Sequence, residues 1–247
     1  MSDYTPRFSL IIPAYNEEAY LPRLLPTVEE ARRRYAGGAD EIEVIVVDNA
    51  STDSTPQIAQ EWGCKVVRVE KRVIAASRNG GAREARGEVL CFIDADSRVH
   101  PETFNAIDRA ILTGKVVAGA TGVKLERWSI GIAATYVLMM SMVIALRMDT
   151  GVVFCRKEDF EAVGGYNEDR LFAEDVQFLF DLRRLGRKRG QRLARVTSAK
   201  AIASTRKFDK YGEWHYFTHM FKLAFMIIKS PTASTDFARK YWYEDER

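Results

Sequence analysis

Short apolar runs alternate with longer amphipathic ones through the first hundred residues. Residues 8–13 (Phe-Ser-Leu-Ile-Ile-Pro) and 42–47 (Ile-Glu-Val-Ile-Val-Val) are β-rich and mostly apolar, the pattern of strands covered on both faces. Between them, residues 21–35 repeat apolar side chains at helical spacing and end in cations. Residues 52–62 predict a second helix, with Ser51 or Asp53 as a cap and Pro56 in its first turn. Residues 65–69 predict a third strand, 77–86 a third helix, and 89–93 a fourth strand that runs directly into acidic residues.

This alternation predicts an α/β fold: a Rossmann-like, mostly parallel central sheet flanked by helices. Ligands of such sheets bind at the carboxyl ends of the strands, where the strand order reverses. Asn16 and Glu17 after strand one, Asp48 after strand two, and Asp94 and Asp96 after strand four all fall there.

The second half is less regular. Residues 101–112 predict a helix, 116–125 one or two strands, and 151–155 a further strand. Residues 158–163 predict a short helix closed by Gly164-Gly165, and 176–185 a helix ended by Gly186. The predicted organisation is one main domain over residues 1–205 and an aromatic, basic helical tail or lid over 206–247. The apolar stretch 130–146 has the length of the shortest membrane spans and contains Gly131, Thr135 and Ser141, which favours a buried or interfacial helix.

Composition adds little to this picture, and charge distribution adds more. The chain has 247 residues, 47% hydrophobic and 29% charged, enough apolar material for a sizeable core, and a net charge of only +3. Residues 183–207 hold ten Lys/Arg and no Asp or Glu, which leaves open a solvated basic face or a site for phosphates or anionic lipid heads. The apolar run 217–228 has two readings: peripheral contact with the inner face of a membrane, or a helix packed on the domain or on a homo-oligomer partner. Cys64, Cys91 and Cys155 form no Cys-x-x-Cys pair and read as buried free thiols of a cytoplasmic protein. Residues 1–7 are polar and show no signal peptide, so the sequon Asn49-Ala50-Ser51 is read as coincidence. No interleaved aromatic motif of an RNA-binding module is present, and no nucleic-acid partner is expected.

Chemistry enters at Phe92-Ile93-Asp94-Ala95-Asp96. Two carboxylates at i and i+2 on the edge of a buried strand are costly unless compensated. A hard divalent cation, Mn²⁺ or Mg²⁺, would compensate them, taking one or two carboxylates and completing its shell with phosphates and water. Three further motifs precede this one in order: Leu10-Ile11-Ile12-Pro13-Ala14-Tyr15-Asn16-Glu17-Glu18, Val46-Val47-Asp48-Asn49-Ala50-Ser51-Thr52-Asp53, and Ser77-Arg78-Asn79-Gly80-Gly81. Together the four resemble the family 2 glycosyltransferases of the GT-A fold, over roughly residues 8–205.

The resemblance implies a metal-dependent glycosyltransferase that moves a sugar from a nucleotide-diphosphate donor, a UDP-sugar first among them. By that correspondence Pro13, Tyr15 and Glu17 line the base and ribose pocket, Asp48 meets the base edge, and Arg78 lies near the base and diphosphate. Asp94 falls by the ribose and Asp96 on the metal. Turn and helix capping is the competing role for Asp48 and Glu17. Gly164-Gly165-Tyr166-Asn167-Glu168, followed by Ala173-Glu174-Asp175 at a helix start, resembles the family's acceptor-side motif. Asp175 is then the general base and Glu174 a supporting or acceptor-binding group, since an acceptor hydroxyl needs a positioned carboxylate to take its proton. Acids favoured by a helix dipole are the competing explanation there.

The implied transfer inverts the anomeric carbon, and the acceptor is a sugar, a lipid-linked sugar or a small molecule. His215 and His219 share a face if residues 212–228 are helical, and some GT-A enzymes add a His to the metal; their aromatic neighbours favour packing instead. Two alternatives are a non-catalytic nucleotide-sugar binding module and a sugar nucleotidyltransferase. The latter would carry a Gly-rich loop after strand one, where residues 13–18 have no Gly. No Gly-x-Gly-x-x-Gly follows that strand, which counts against a dinucleotide fold.

Overall fold

The computed structural model describes residues 4–146, 148–170, 173–214 and 217. The chain forms two compact units, Met1–Lys124 with Met148–Ile202, and Leu125–Arg147 with Ala203–Arg247. In chain order the elements are β1 (Phe8–Ala14), α1 (Leu21–Arg34), β2 (Ile42–Asp48), α2 (Thr55–Glu61), β3 (Lys65–Arg68), α3 (Ile74–Glu84), β4 (Val89–Phe92), α4 (Thr103–Leu112) and β5 (Val116–Leu125). They continue with α5 (Ile130–Leu146), β6 (Val153–Arg156), α6 (Lys157–Val163), α7 (Glu174–Lys188), β7 (Arg192–Ala203) and α8 (Arg206–Tyr211).

The seven-stranded sheet has the order β3-β2-β1-β4-β6-β5-β7. Strand β1 is parallel to β2 and β4, and β2 to β3, while β6 is antiparallel to both β4 and β5. The α/β architecture and the parallel half of the sheet match the alternation in the sequence. One face is built on Phe8, Leu10 and Ile12, fully buried with Leu24 and Val28 of α1 and Phe104 and Ile107 of α4. Each such side chain contributes about 1.5–3 kcal/mol by leaving water. On the other face α3 lies so close that a Cβ on Gly81 would come within 2.5 Å of Ile11 and 2.8 Å of Val47.

Several boundaries differ from expectation. Helix α2 starts at Thr55 rather than residue 52, and the amides before it donate to the loop after β1, Thr52 N–H to Asn16 Oδ1 and Ser54 N–H to Glu18 Oε2. Helix α3 starts at Ile74, so Ser77, Arg78 and Asn79 sit inside it and are buried. Strand β7 has no counterpart in the expected elements; its buried positions Val196, Ala199 and Ala201 break strict alternation. Cys91 and Cys155 are free and buried, whereas free Cys64 is only partly so, burial pushing its thiol to about 11.

The second unit holds α5, whose Ile130, Val137 and Ile144 are exposed while Ile132 and Thr135 are buried. Within that unit Arg127 pairs with Asp209 and Glu213. Among the described residues no helix is long and apolar enough to cross a membrane.

Candidate active site

Because β1 is parallel to both its neighbours, the loops leaving β1, β2 and β4 emerge at one end of the sheet. The order reverses beside β1, with β2 on one side and β4 on the other, which is where sheets of this kind bind ligands. Pro13 pairs in register with Val47 and Ala14 with Asp48, so the two chains leave the sheet side by side. Arg72 lies over the Tyr15 ring at 3.9 Å. The Glu17 N–H donates to Thr55 Oγ1 at 2.7 Å, and its side chain is buried. Asp48, also buried, accepts from the Ser51 N–H at 2.9 Å and from Arg68 at 3.1 Å. Asp48 therefore does close a turn, the competing role the sequence left open.

Asp94 and Asp96 flank buried Ala95 in a turn closed by the Ser97 N–H on the Asp94 carbonyl at 3.0 Å. The Asp94 side chain is 60% exposed and Asp96 is partly buried. Among the described residues no group of three His, Cys, Asp or Glu gathers into a cage for a metal ion. The donor set at this turn is carboxylate oxygen from two residues, which fits Mn²⁺ or Mg²⁺ sharing its shell with substrate phosphates and water. His215 and His219 lie outside the described residues.

Arg78 draws the two halves of the site together. Its Nη2 donates to Asp94 Oδ1 at 2.9 Å, and its Nη1 donates to Glu174 Oε1 at 2.9 Å and Asp175 Oδ1 at 2.6 Å. The guanidinium is buried, lies 5.1 Å from the Tyr166 ring centre, and leaves its Nε without a hydrogen-bond partner. Burial opposes its charge, yet Asp175 and the surrounding groups hold it well above the ordinary arginine range. For Asp175 burial is also the largest influence, raising the carboxyl; Arg78 pulls it back, Glu174 and Asp94 raise it, and the outcome is about 7. A carboxylate so tuned exchanges protons near neutrality.

The turn at residues 164–166 is packed from beneath. Tyr166 stacks on Phe178 of α7 at 4.1 Å and meets Phe92 edge-on at 5.2 Å. Ala173 enters α7 from a left-handed conformation, φ 54°. With Asn16 (φ 50°) and Ala50 (φ 61°) it completes the non-glycine residues of positive φ among those described, and all three border the candidate site. Such strain concentrates where surrounding structure imposes a functional geometry.

The structure thus brings Arg78, Asp94, Glu174 and Asp175 into direct contact and places Pro13, Tyr15, Glu17 and Asp48 at the same end of the sheet. Sequence reasoning missed the carboxylate partners of Arg78, the Asn79 amide described below, and Arg72 over Tyr15; the Ser77-Arg78-Asn79 triplet was the available signal. A cavity of about 530 Å³ opens elsewhere, at the amino ends of β2 and β3 beside Trp62 and Cys64. Most of its charges are already paired, Arg32 with Glu29, Arg86 with Glu43 and Lys65 with Glu84.

Comparison with known proteins agrees with this geometry. Residues 9–160 match the model of glycosyl transferase family 2. Poly(ribitol-phosphate) beta-N-acetylglucosaminyltransferase TarS of Staphylococcus aureus is 35% identical over 103 residues, 39% of this chain and 17% of that protein. The matches span from 17% to 36% of the length of such curated relatives. The crystal structure of S. aureus TarS residues 1–349 in complex with UDP-GlcNAc superposes with a TM-score of 0.62 at 23% identity, covering 81% of this chain and 58% of that one. Mannosyltransferase PcManGT of Pyrobaculum calidifontis, in complex with GDP-Man and Mn²⁺, superposes with a TM-score of 0.63 at 23% identity, covering 81% and 57%. These likenesses extend the GT-A fold over most of the chain, and the family match covers more than half of it. The chain belongs to glycosyl transferase family 2.

Proposed function

We propose that this chain transfers a sugar from a nucleotide-diphosphate donor to an acceptor hydroxyl in a single displacement, with inversion at the anomeric carbon. The observation that carries the proposal is the Arg78 cluster, one guanidinium bonded at once to Asp94 after β4 and to Glu174 and Asp175 at the start of α7. In this reading residues 1–205 form the catalytic domain and 206–247 its tail or lid.

Asp175 takes the proton of the acceptor hydroxyl as that oxygen attacks the anomeric carbon. The bond from that carbon to the diphosphate oxygen breaks on the opposite face, and its electron pair leaves with the nucleoside diphosphate. Glu174 shares Arg78 with the base and borders the acceptor. Pro13, Tyr15, Glu17 and Asp48 form the wall for base and ribose, with Asp94 at the ribose. Asp96 would hold Mn²⁺ or Mg²⁺, which when bound neutralises the charge that builds on the departing diphosphate. The nucleotide sugars bound by TarS and PcManGT support this donor class, and a UDP-sugar is the first to test. The acceptor is a hydroxyl of a sugar, a lipid-linked sugar or a small molecule.

The test is release of nucleoside diphosphate from UDP-glucose, UDP-GlcNAc and GDP-mannose, with and without Mn²⁺, against a panel of sugar acceptors. Release that needs Mn²⁺ and is lost in Asp175→Asn is expected, with an inverted product by NMR. A retained anomeric configuration would overturn the single displacement. No release from any donor, in a folded protein that binds no nucleotide, would overturn the transferase reading.

A further inference from the structure

Asn79 belongs to the Ser77-Arg78-Asn79 triplet, and the proposed chemistry gives it no task. Its amide is buried and fully used. Oδ1 accepts from the Tyr166 N–H at 2.9 Å, while Nδ2 donates to the Tyr166 carbonyl at 2.9 Å and to Glu168 Oε1 at 3.0 Å. A side-chain amide that pairs both backbone groups of one residue imitates a strand neighbour and fixes that residue in place. The backbone is shaped around it. Gly164 and Gly165 have φ of 80° and 73°, and a Cβ on Gly165 would come within 2.7 Å of Asn79 Oδ1. Glu168 is anchored a second time by Lys71 at 2.8 Å, and Asn79 and Lys71 hold its carboxyl below the ordinary range.

What Asn79 holds is connected to the base. The Tyr166 ring stacks on Phe178, which lies three residues after Asp175 and so on the same side of α7. The same ring faces Arg78, the residue before Asn79 in α3, whose Nη1 grips Glu174 and Asp175. Adjacent residues of one helix therefore hold the acceptor-side segment at two points, its carboxylates and the turn before them. We infer that Asn79 is a positioning residue for sugar transfer, its amide fixing the turn at residues 164–166 and, through Tyr166, the first turn of α7 that carries Asp175. This rests on the transferase reading. None of Asn79's hydrogen bonds reaches Pro13, Tyr15, Glu17, Asp48, Asp94 or Asp96, so a small effect on donor binding is expected.

Asn79→Ala removes all three bonds. Asn79→Asp is isosteric, keeps the acceptor for the Tyr166 N–H and loses both donations, which tests the inference should the alanine variant fold poorly. With water as acceptor, hydrolysis of UDP-glucose, UDP-GlcNAc and GDP-mannose in Mn²⁺ gives kcat and KM. Titration calorimetry gives UDP and GDP affinity, and hydrogen exchange reads the Tyr166 amide and the start of α7. Displacing a catalytic group by about 1 Å costs on the order of 100-fold, so kcat should fall about 10–100-fold while KM and nucleotide affinity stay within about threefold. Amide protection should fall at Tyr166 in Asn79→Ala, and at the start of α7 in both variants. Unchanged kcat, a parallel loss of nucleotide affinity, or unchanged protection at the start of α7 would each overturn the inference. A wild-type protein that neither binds nucleotides nor hydrolyses any donor would sink the transferase reading separately; protection at Tyr166 and α7 would then decide whether Asn79 holds the turn.

Discussion

Asp175 titrates where it does because burial outweighs the attraction of Arg78. With its carboxyl raised from 3.8 to about 7, it is mostly protonated at pH 5 and unable to accept a proton. Turnover should therefore rise about tenfold per pH unit up to about 7 and level off above it. Asp175→Asn should abolish that limb and cost about 10²–10⁴ in kcat, read from the pH profile of nucleoside diphosphate release. Stability runs the other way. A carboxyl raised on folding stabilises fully below its unfolded value and loses that contribution as pH rises through about 7. Thermal melts at pH 5 and pH 8 should accordingly show a smaller decline for Asp175→Asn than for wild type. Arg78→Met leaves Asp94, Glu174 and Asp175 without their shared cation, a loss of about 3–5 kcal/mol for a buried ionic partner. Chemical denaturation should find that loss larger at pH 8, where Asp175 is ionised, than at pH 5. Equal losses at both pH values would mean that packing of the Arg78 stem, and not its charge, carries the effect.

At the scale of elements, helix α3 shows what the sequence could and could not convey. The alternation of strands and helices announces a helix here, but Gly80-Gly81 inside it costs about 1 kcal/mol per glycine relative to alanine. The structure supplies the reason at Gly81, since Ile11 and Val47 occupy the space a methyl would need. Gly81→Ala should lower stability by about 1–2 kcal/mol in urea, overpacking outweighing the gain in helix propensity. A stabilised variant would mean that α3 can lift off β1 and β2 without penalty. The ends of β1, β2 and β4 were legible because buried strands read as short apolar runs, and the acids that follow them had to emerge at one edge. That Arg78 reaches Glu174 and Asp175, 96 and 97 residues away, was not legible: no local pattern encodes a side-chain bond between α3 and the start of α7. Strand β7 was hidden for another reason, its cations masking a period that its buried positions do not keep.

At the scale of the molecule, every candidate residue from Pro13 to Asp175 falls within the unit formed by Met1–Lys124 and Met148–Ile202. Donor binding should therefore stabilise that unit by mass action. A ligand present at about a hundred times its dissociation constant, and bound only by the folded state, adds about 2.7 kcal/mol. For a unit of this size each kcal/mol moves the midpoint by about 2–4 °C, so a rise of about 5–10 °C is expected with the right nucleoside diphosphate. Thermal unfolding with UDP, GDP, CDP and dTDP, each with and without Mn²⁺, should single out one base, with UDP the first candidate. The shift should need the metal, because a diphosphate laid against Asp94 and Asp96 without a cation meets two carboxylates of its own sign. Asp96→Ala should remove the metal-dependent part of the shift, measured against the unliganded midpoint of the same variant. A full shift retained in Asp96→Ala would move the metal to other ligands, and equal shifts with all four nucleotides would mean that the walls after β1 and β2 read the diphosphate and not the base.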